Sequence, residues 1–164
     1  MGDEPISRFT AGFDTPMLVV TAASGGERSG CLVGFWTQCS IHPARFLVCL
    51  SRVNHTFGVA ARADFLGVHV LEQGDPGQIA LARLFGERTG DEIDKFTRCA
   101  WTEGADGVPL LSDARRRMVG RVLDRVDLGD HVGHLLEPVH MEVDGRGAPL
   151  GLAEVLGMDA GHPA

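Results

Sequence analysis

Two stretches in the second half of the chain alternate with period two, and they constrain the fold more than any other feature. Over residues 118–128, Met118, Gly120, Val122, Val126 and Leu128 fall on one face, with Arg117, Arg121, Arg125 and Asp127 on the other. Over residues 135–143, Leu135, Glu137, Val139, Met141 and Val143 repeat the alternation, and Gly129-Asp130 links the two runs. Successive side chains on a strand point to opposite faces, so the pair predicts two antiparallel strands with one wet face. Upstream, residues 17–23 are β-branched enough for a buried strand, 24–30 read as a hairpin turn, and 31–39 continue as strand. Residues 40–43 read as a break, 45–50 as a central strand because they are apolar almost throughout, and 65–71 and 96–101 as further strands. Asn54 caps a predicted short helix to about residue 62. Asp75 and Pro76 open a second, with Ile79, Leu81, Ala82, Leu84 and Phe85 as its buried face and residues 86–90 as its end. Residues 150–156 carry one helical turn at most. Roughly six or seven strands with two or three short helices make a mainly β chain, a closed or split antiparallel barrel and not a doubly wound sheet.

A chain of 164 residues fits one domain. Its expected parts are an N-terminal arm (1–16), the barrel (17–145) and a Gly/Ala/Pro-rich tail (146–164). Fifteen Lys and Arg against 22 Asp and Glu give a net charge of −7, which repels nucleic-acid backbones but leaves room for one local basic pocket to hold a small anion. Lys95 is the only lysine, and Tyr is absent, so no tyrosine serves as a general acid. Cys31, Cys39, Cys49 and Cys99 form no C-x-x-C pair and read as free thiols of a reducing compartment. No apolar run approaches membrane-spanning length and the first residues are acidic, so a cytoplasmic protein without a membrane partner is expected.

Few clusters offer reactive chemistry. His131 and His134 point to opposite faces of a strand, so they and His140 do not converge on a metal, and none is expected. Ser40, His42 and Asp64 lack a nucleophile elbow, which argues against hydrolysis. Residues 51–56, Ser-Arg-Val-Asn-His-Thr, gather hydroxyl, guanidinium and amide groups where a strand gives way to a helix, a setting that suits a phosphate as well as a plain helix cap. Phe35-Trp36 beside Gly34 presents a flat surface that suits either a flat ring or the core.

Together these residues resemble the flavin reductase-like family, whose fold is the FMN-binding split barrel. Residues 30–44, GCLVGFWTQCSIHPA, resemble its ring-binding pattern G-x-T-x-(N/S)-S-F-x-S-x-S-x-x-P-P. Arg52 to Thr56 resembles its phosphate segment, residues 65–71 its F-x-V-x-V-L strand, Leu81 to Phe85 and Lys95-Phe96 its A-x-x-F and D-K-F marks, and Gly129-Asp130-His131 with Val139 its G-D-H…V strand pair. The resemblance implies an NAD(P)H-dependent reductase of FMN or FAD, a homodimer, and a separate monooxygenase as recipient of the reduced flavin. It implies that Val33, Gly34, Phe35 and Trp36 meet the flavin ring, that Cys39 and Ser40 lie beside the ring or ribityl chain, and that Arg52, Asn54 and Thr56 hold the phosphate. Phe85 would wall the ring pocket and His131 would orient the nicotinamide. Leu32, Gly34 and Phe35 replace the family's usual Thr, Asn/Ser and Ser, which leaves the ring to main-chain donors. The alternative is a non-catalytic split barrel that carries or senses a flavin, a deazaflavin or haem.

Overall fold

A computed structural model describes residues 5–87 and 94–155. In chain order its elements are α1 (Pro5–Phe9), β1 (Leu18–Ser24), β2 (Glu27–Val33), β3 (Trp36–Ile41), β4 (Ala44–Ser51), α2 (His55–Ala60), β5 (Phe65–Val70), α3 (Pro76–Glu87), β6 (Trp101–Glu103), β7 (Pro109–Leu111), β8 (Arg116–Asp127), β9 (His131–Val143) and α4 (Leu152–Val155). Seven strands form one sheet in the order β2-β1-β5-β8-β9-β4-β3, every neighbouring pair antiparallel, and β6 pairs with β7 apart from it. The fold is mainly β, with split-barrel topology, as the alternating runs predict. Among the described residues no helix is long and apolar enough to cross a membrane.

The sheet buries both of its faces near β1. Leu18, Val20 and Ala22 point into the barrel with Val48, Leu50, Leu66 and Leu136. Met17 and Val19 point the other way, onto Leu81, Ala82 and Phe85 of α3. Each such leucine, almost fully removed from water, contributes about 1.5–3 kcal/mol relative to exposure. Asn54 caps α2, its side chain accepting from Thr56 N at 2.9 Å, and α2 packs on β1, β2 and β4. Asp75 caps α3 through Gly77 N (2.9 Å) and Gln78 N (3.3 Å). The expected end of α3 at residues 88–90 and the last residue of the 150–156 turn lie outside the described residues.

Several local expectations are corrected. The hairpin turn is only Gly25-Gly26, both at positive φ, so strand resumes at Glu27. The expected strand 31–39 breaks at Gly34-Phe35 into β2 and β3, and β3 runs on to Ile41 through the expected break. β4 is not central: it lies between β9 and the edge strand β3, and only Val48 and Leu50 are buried. Residues 95–97 form a 3-10 turn in place of strand, because Asp94 accepts from Phe96 N (3.0 Å) and Thr97 Oγ1 (2.8 Å), and strand starts only at Trp101. Leu150 and Val155 of the expected tail join the core, and Pro149 bridges to Glu72.

The β8–β9 pair carries two bulges. Val139 is the extra residue opposite the Val119/Gly120 step, and Leu123 is the extra residue beside Val122/Asp124. Each bulge flips the side-chain phase. Val132, His134 and Leu136 are buried, while Leu135 and Glu137 of the alternating run are only partly so.

Candidate functional site

β2 is an edge strand of the sheet, paired only with β1, so its other edge offers unpaired main-chain groups. Two clefts lie along that edge. The first, of about 280 Å³, is lined by Cys31 to Phe35 on one side, Cys49 to Ser51 and Asn54 on the other, and His131 and Leu152 at its rim. Its walls are mostly apolar side chain and backbone, which suits a flat ring held by main-chain donors. His131 is fixed there from two sides. Its Nδ1 lies 2.7 Å from Asp130 Oδ1, and its ring meets Phe35 edge-on at 5.0 Å between centroids. The same histidine contact holds the Asp130 carboxyl below its ordinary pKa. Phe35 is 63% exposed, so it forms the lip of the cleft and not part of the core. Burial raises the pKa of both Cys31 (to about 11) and Cys49, which keeps these wall thiols neutral.

The second cleft, of about 290 Å³, is lined by residues 26–30, His55 and residues 94–96. Ser29 and Gly30 of this cleft adjoin Cys31 of the first, and His55 adjoins Asn54, so the two clefts meet along β2 and at the start of α2. The second is polar, with Arg28 and Lys95 beside Glu27 and Asp94. Lys95 is only 5% exposed, and its ammonium donates to Gly30 O (3.4 Å) and Phe85 O (3.2 Å). Burial lowers its pKa, partly offset by the Cys31 thiol. A cation stripped of water and faced by two carbonyls and, at 5.4 Å, the Phe85 ring is stabilised further by an anion. Arg28 lies beside it, its guanidinium 4.7 Å over the Trp101 ring. Glu27 does not cancel these charges, being paired with Arg62 (2.7 Å) and His55 (3.3 Å). Asp94 caps the turn that presents Lys95. Ser29 Oγ shares a 2.8 Å hydrogen bond with Thr56 Oγ1.

The structure brings Val33, Gly34, Phe35, Asn54 and His131 to the first cleft. Trp36 lies just beyond, donating to Pro16 O (2.7 Å) and stacked on Phe46. Thr56 is fully buried beneath the second cleft. Other sequence-predicted residues lie elsewhere. Cys39 and Ser40 line a separate shallow surface on the far edge strand, with residues 38–42. Arg52 lines neither cleft: its guanidinium bonds Asp127 (2.7 Å) and Gly129 O (3.0 Å) at the β8–β9 turn. Phe85 is 2% exposed and lines neither cleft; it packs edge-on against Phe96, behind the Gly30 and Lys95 wall of the second. Sequence reasoning missed Arg28, Ser29 and Lys95 as site residues. The one available signal was Lys95, the sole lysine, inside the Asp-Lys-Phe segment. His131 and His134 do diverge, since His134 is fully buried in the barrel while His131 lines the rim.

An FMN reductase (NADH) RutF of Bradyrhizobium diazoefficiens is 28% identical over 114 residues, 69% of this chain and 61% of that protein. An FMN reductase (NADH) RutF of Klebsiella pneumoniae is 30% identical over 113 residues, 69% of this chain and 66% of that one. The chain thus spans about two thirds or less of the length of these two relatives. A flavin reductase domain protein of Arthrobacter sp. FB24 shares the fold, with a TM-score of 0.80 at 21% identity over 97% of this chain and 94% of that one. The sequence matches the flavin reductase like domain over residues 10–154, nearly its whole length, and the chain belongs to that family.

Proposed function

We propose that the chain is an NAD(P)H-dependent flavin reductase that binds FMN (or FAD as an exchangeable substrate) across the two clefts. The observation that carries this reading is the buried Lys95 ammonium, one β2 residue away from a flat cleft edged by free main chain. Ring and phosphate of one flavin need such neighbours. A flavin held there would supply the hydride-accepting ring and a nicotinamide nucleotide the hydride, a reactivity that belongs to the two cofactors. The chain's part is to position them. The edges of Val33, Gly34 and Phe35 cradle the ring, Lys95, Arg28 and Ser29 hold the phosphate, and Asn54 keeps α2 in register. His131, tied at Nδ1 to Asp130, presents Nε2 to the nicotinamide amide, and Phe35 shields the ring from water. No nucleophile or strong base is required.

The reading extends to a separate monooxygenase as recipient of the reduced flavin and to a homodimer, both as the resemblance to the family implies. Anaerobic mixing with FMN and NADH or NADPH tests the reading: the flavin absorbance is expected to bleach far faster than without protein. An uncatalysed rate with both nucleotides would instead favour the non-catalytic carrier. For His131→Ala, the KM for the nicotinamide nucleotide is expected to rise about five- to tenfold, the worth of one neutral hydrogen bond or slightly more, with flavin affinity nearly unchanged. A matching loss of flavin affinity would move His131 out of the nicotinamide role.

A further inference from the structure

Cys31 walls the first cleft and Ser29 the second, and one buried hydroxyl touches both side chains. Ser29 and Cys31 stand two residues apart on β2, so their side chains leave the strand on the same face. Thr56, in the first turn of α2, meets that face; it is fully buried and lines neither cleft. Its Oγ1 lies 2.8 Å from Ser29 Oγ, and the Cys31 thiol hydrogen-bonds the same hydroxyl. Asn54 fixes the threonine further, its side chain accepting from Thr56 N at 2.9 Å.

The direction of these bonds decides what the second cleft offers an anion. Each hydroxyl carries one proton and accepts through its lone pairs. Burial pushes the Cys31 pKa up to about 11, so the sulfur keeps its proton. Sulfur is a weak acceptor and the threonine oxygen a good one, so the thiol donates to Thr56 Oγ1. Among the described residues no carbonyl accepts from Thr56 Oγ1, and its own proton goes to Ser29 Oγ. Ser29 then accepts from Thr56, and the serine proton is left for the cleft. The reverse order would turn serine lone pairs towards an anion, which repel it. Lys95 and Arg28 bring charge to this cleft; Ser29 brings a neutral donor whose direction is set from behind.

We propose that Thr56, held by Cys31, is a positioning residue for the flavin phosphate: it turns the Ser29 hydroxyl proton into the second cleft. The inference rests on the flavin reading and deepens it, because the phosphate is the group that the directed proton meets. The chain Cys31–Thr56–Ser29 runs from the wall of one cleft to the wall of the other, so a group too buried to touch ligand acts on it through its neighbour.

Fluorescence quenching titrations with FMN and with riboflavin test this in Thr56→Val, Thr56→Ser, Ser29→Ala and the Ser29→Ala/Thr56→Val pair. Val keeps the branched shape of Thr and removes the hydroxyl. Ser29→Ala is expected to cut the preference for FMN over riboflavin about tenfold, the effect of one hydrogen bond to a charged group. Thr56→Val is expected to cut it about fivefold, less than Ser29→Ala because the released serine hydroxyl still reaches the anion in some orientations. Thr56→Ser is expected to restore the preference to within about twofold of the parent, since it returns the hydroxyl. In the pair, no loss beyond that of Ser29→Ala alone is expected, because Thr56 acts through Ser29. Equal weakening of both flavins by Thr56→Val would leave Thr56 a packing role only, and a further loss of FMN in the Ser29→Ala background would mean that it acts without Ser29; either overturns the proposal. Lys95→Met separates this failure from that of the flavin reading. Selective loss of FMN with Lys95→Met and none with Thr56→Val overturns the positioning role alone; no selective loss with either overturns both. Circular dichroism checks folding, and Thr56→Ala replaces a Thr56→Val that does not fold.

Discussion

Replacing Lys95 by Met is expected to weaken FMN binding by roughly 10- to 100-fold while leaving riboflavin binding within about twofold. Met keeps the length and apolar stem of the side chain and removes the charge. A charge-assisted hydrogen bond contributes about 1.5–3 kcal/mol, more when the donor is shielded from water, and Lys95 is 5% exposed. Only FMN carries the phosphate, so riboflavin acts as an internal control for any general disturbance from the freed Gly30 and Phe85 carbonyls. Arg28→Ala is expected to act in the same direction with a smaller effect, because its guanidinium is more exposed and partly engaged by Trp101. Arg52→Ala is expected to leave the FMN-to-riboflavin ratio unchanged, since Asp127 and Gly129 already occupy that guanidinium. Fluorescence quenching titrations with both flavins measure all of these. Equal weakening of the two ligands by Lys95→Met would remove the phosphate from the second cleft.

The contrast between Arg52 and Lys95 shows what a sequence conceals. Period-two runs, β-branched segments and the Asn54 and Asp75 caps are local signals, and the strands and helices they announce are present. The bulges at Leu123 and Val139 carry no such signal, and each shifts the register of the β8–β9 pair. An arginine at the end of β4 resembles a phosphate ligand until the β8–β9 turn, 75 residues away, brings Asp127 to it. Lys95 resembles a solvated surface lysine until the turn capped by Asp94 tucks it under β2. Phe85 was legible as apolar helix face, but the side of β2 it covers depended on Gly30, where an added Cβ would stand 2.7 Å from the Phe85 ring. The stretch 33–35 was legible as part of a motif, and it lies along the first cleft.

A second large effect is expected in acid stability and rests on His69. Its side chain is fully buried between the sheet and β7, and both ring nitrogens are used. Leu111 N donates to Nε2 (3.0 Å), so Nδ1 carries the proton and donates to Val19 O (3.0 Å). The neutral ring thereby staples β1, β5 and β7 together. Burial pushes its pKa down from 6.5 to about 4; the bond to Val19 opposes this and the nearby Arg117 guanidinium reinforces it. The unfolded chain binds a proton that the folded chain refuses. The stabilisation is therefore complete above pH 6.5 and is lost as pH falls from 6.5 towards 4, by about 3 kcal/mol in all. His69→Leu fills similar space but leaves Val19 O and Leu111 N unpaired in the core, which destabilises by about 2–4 kcal/mol at pH 8. It also removes the titration. Urea unfolding of both proteins at pH 8 and pH 5 is expected to show the parent's advantage shrinking by about 2 kcal/mol at the lower pH. An advantage that stays constant between the two would mean that the imidazole is protonated in the fold as readily as out of it.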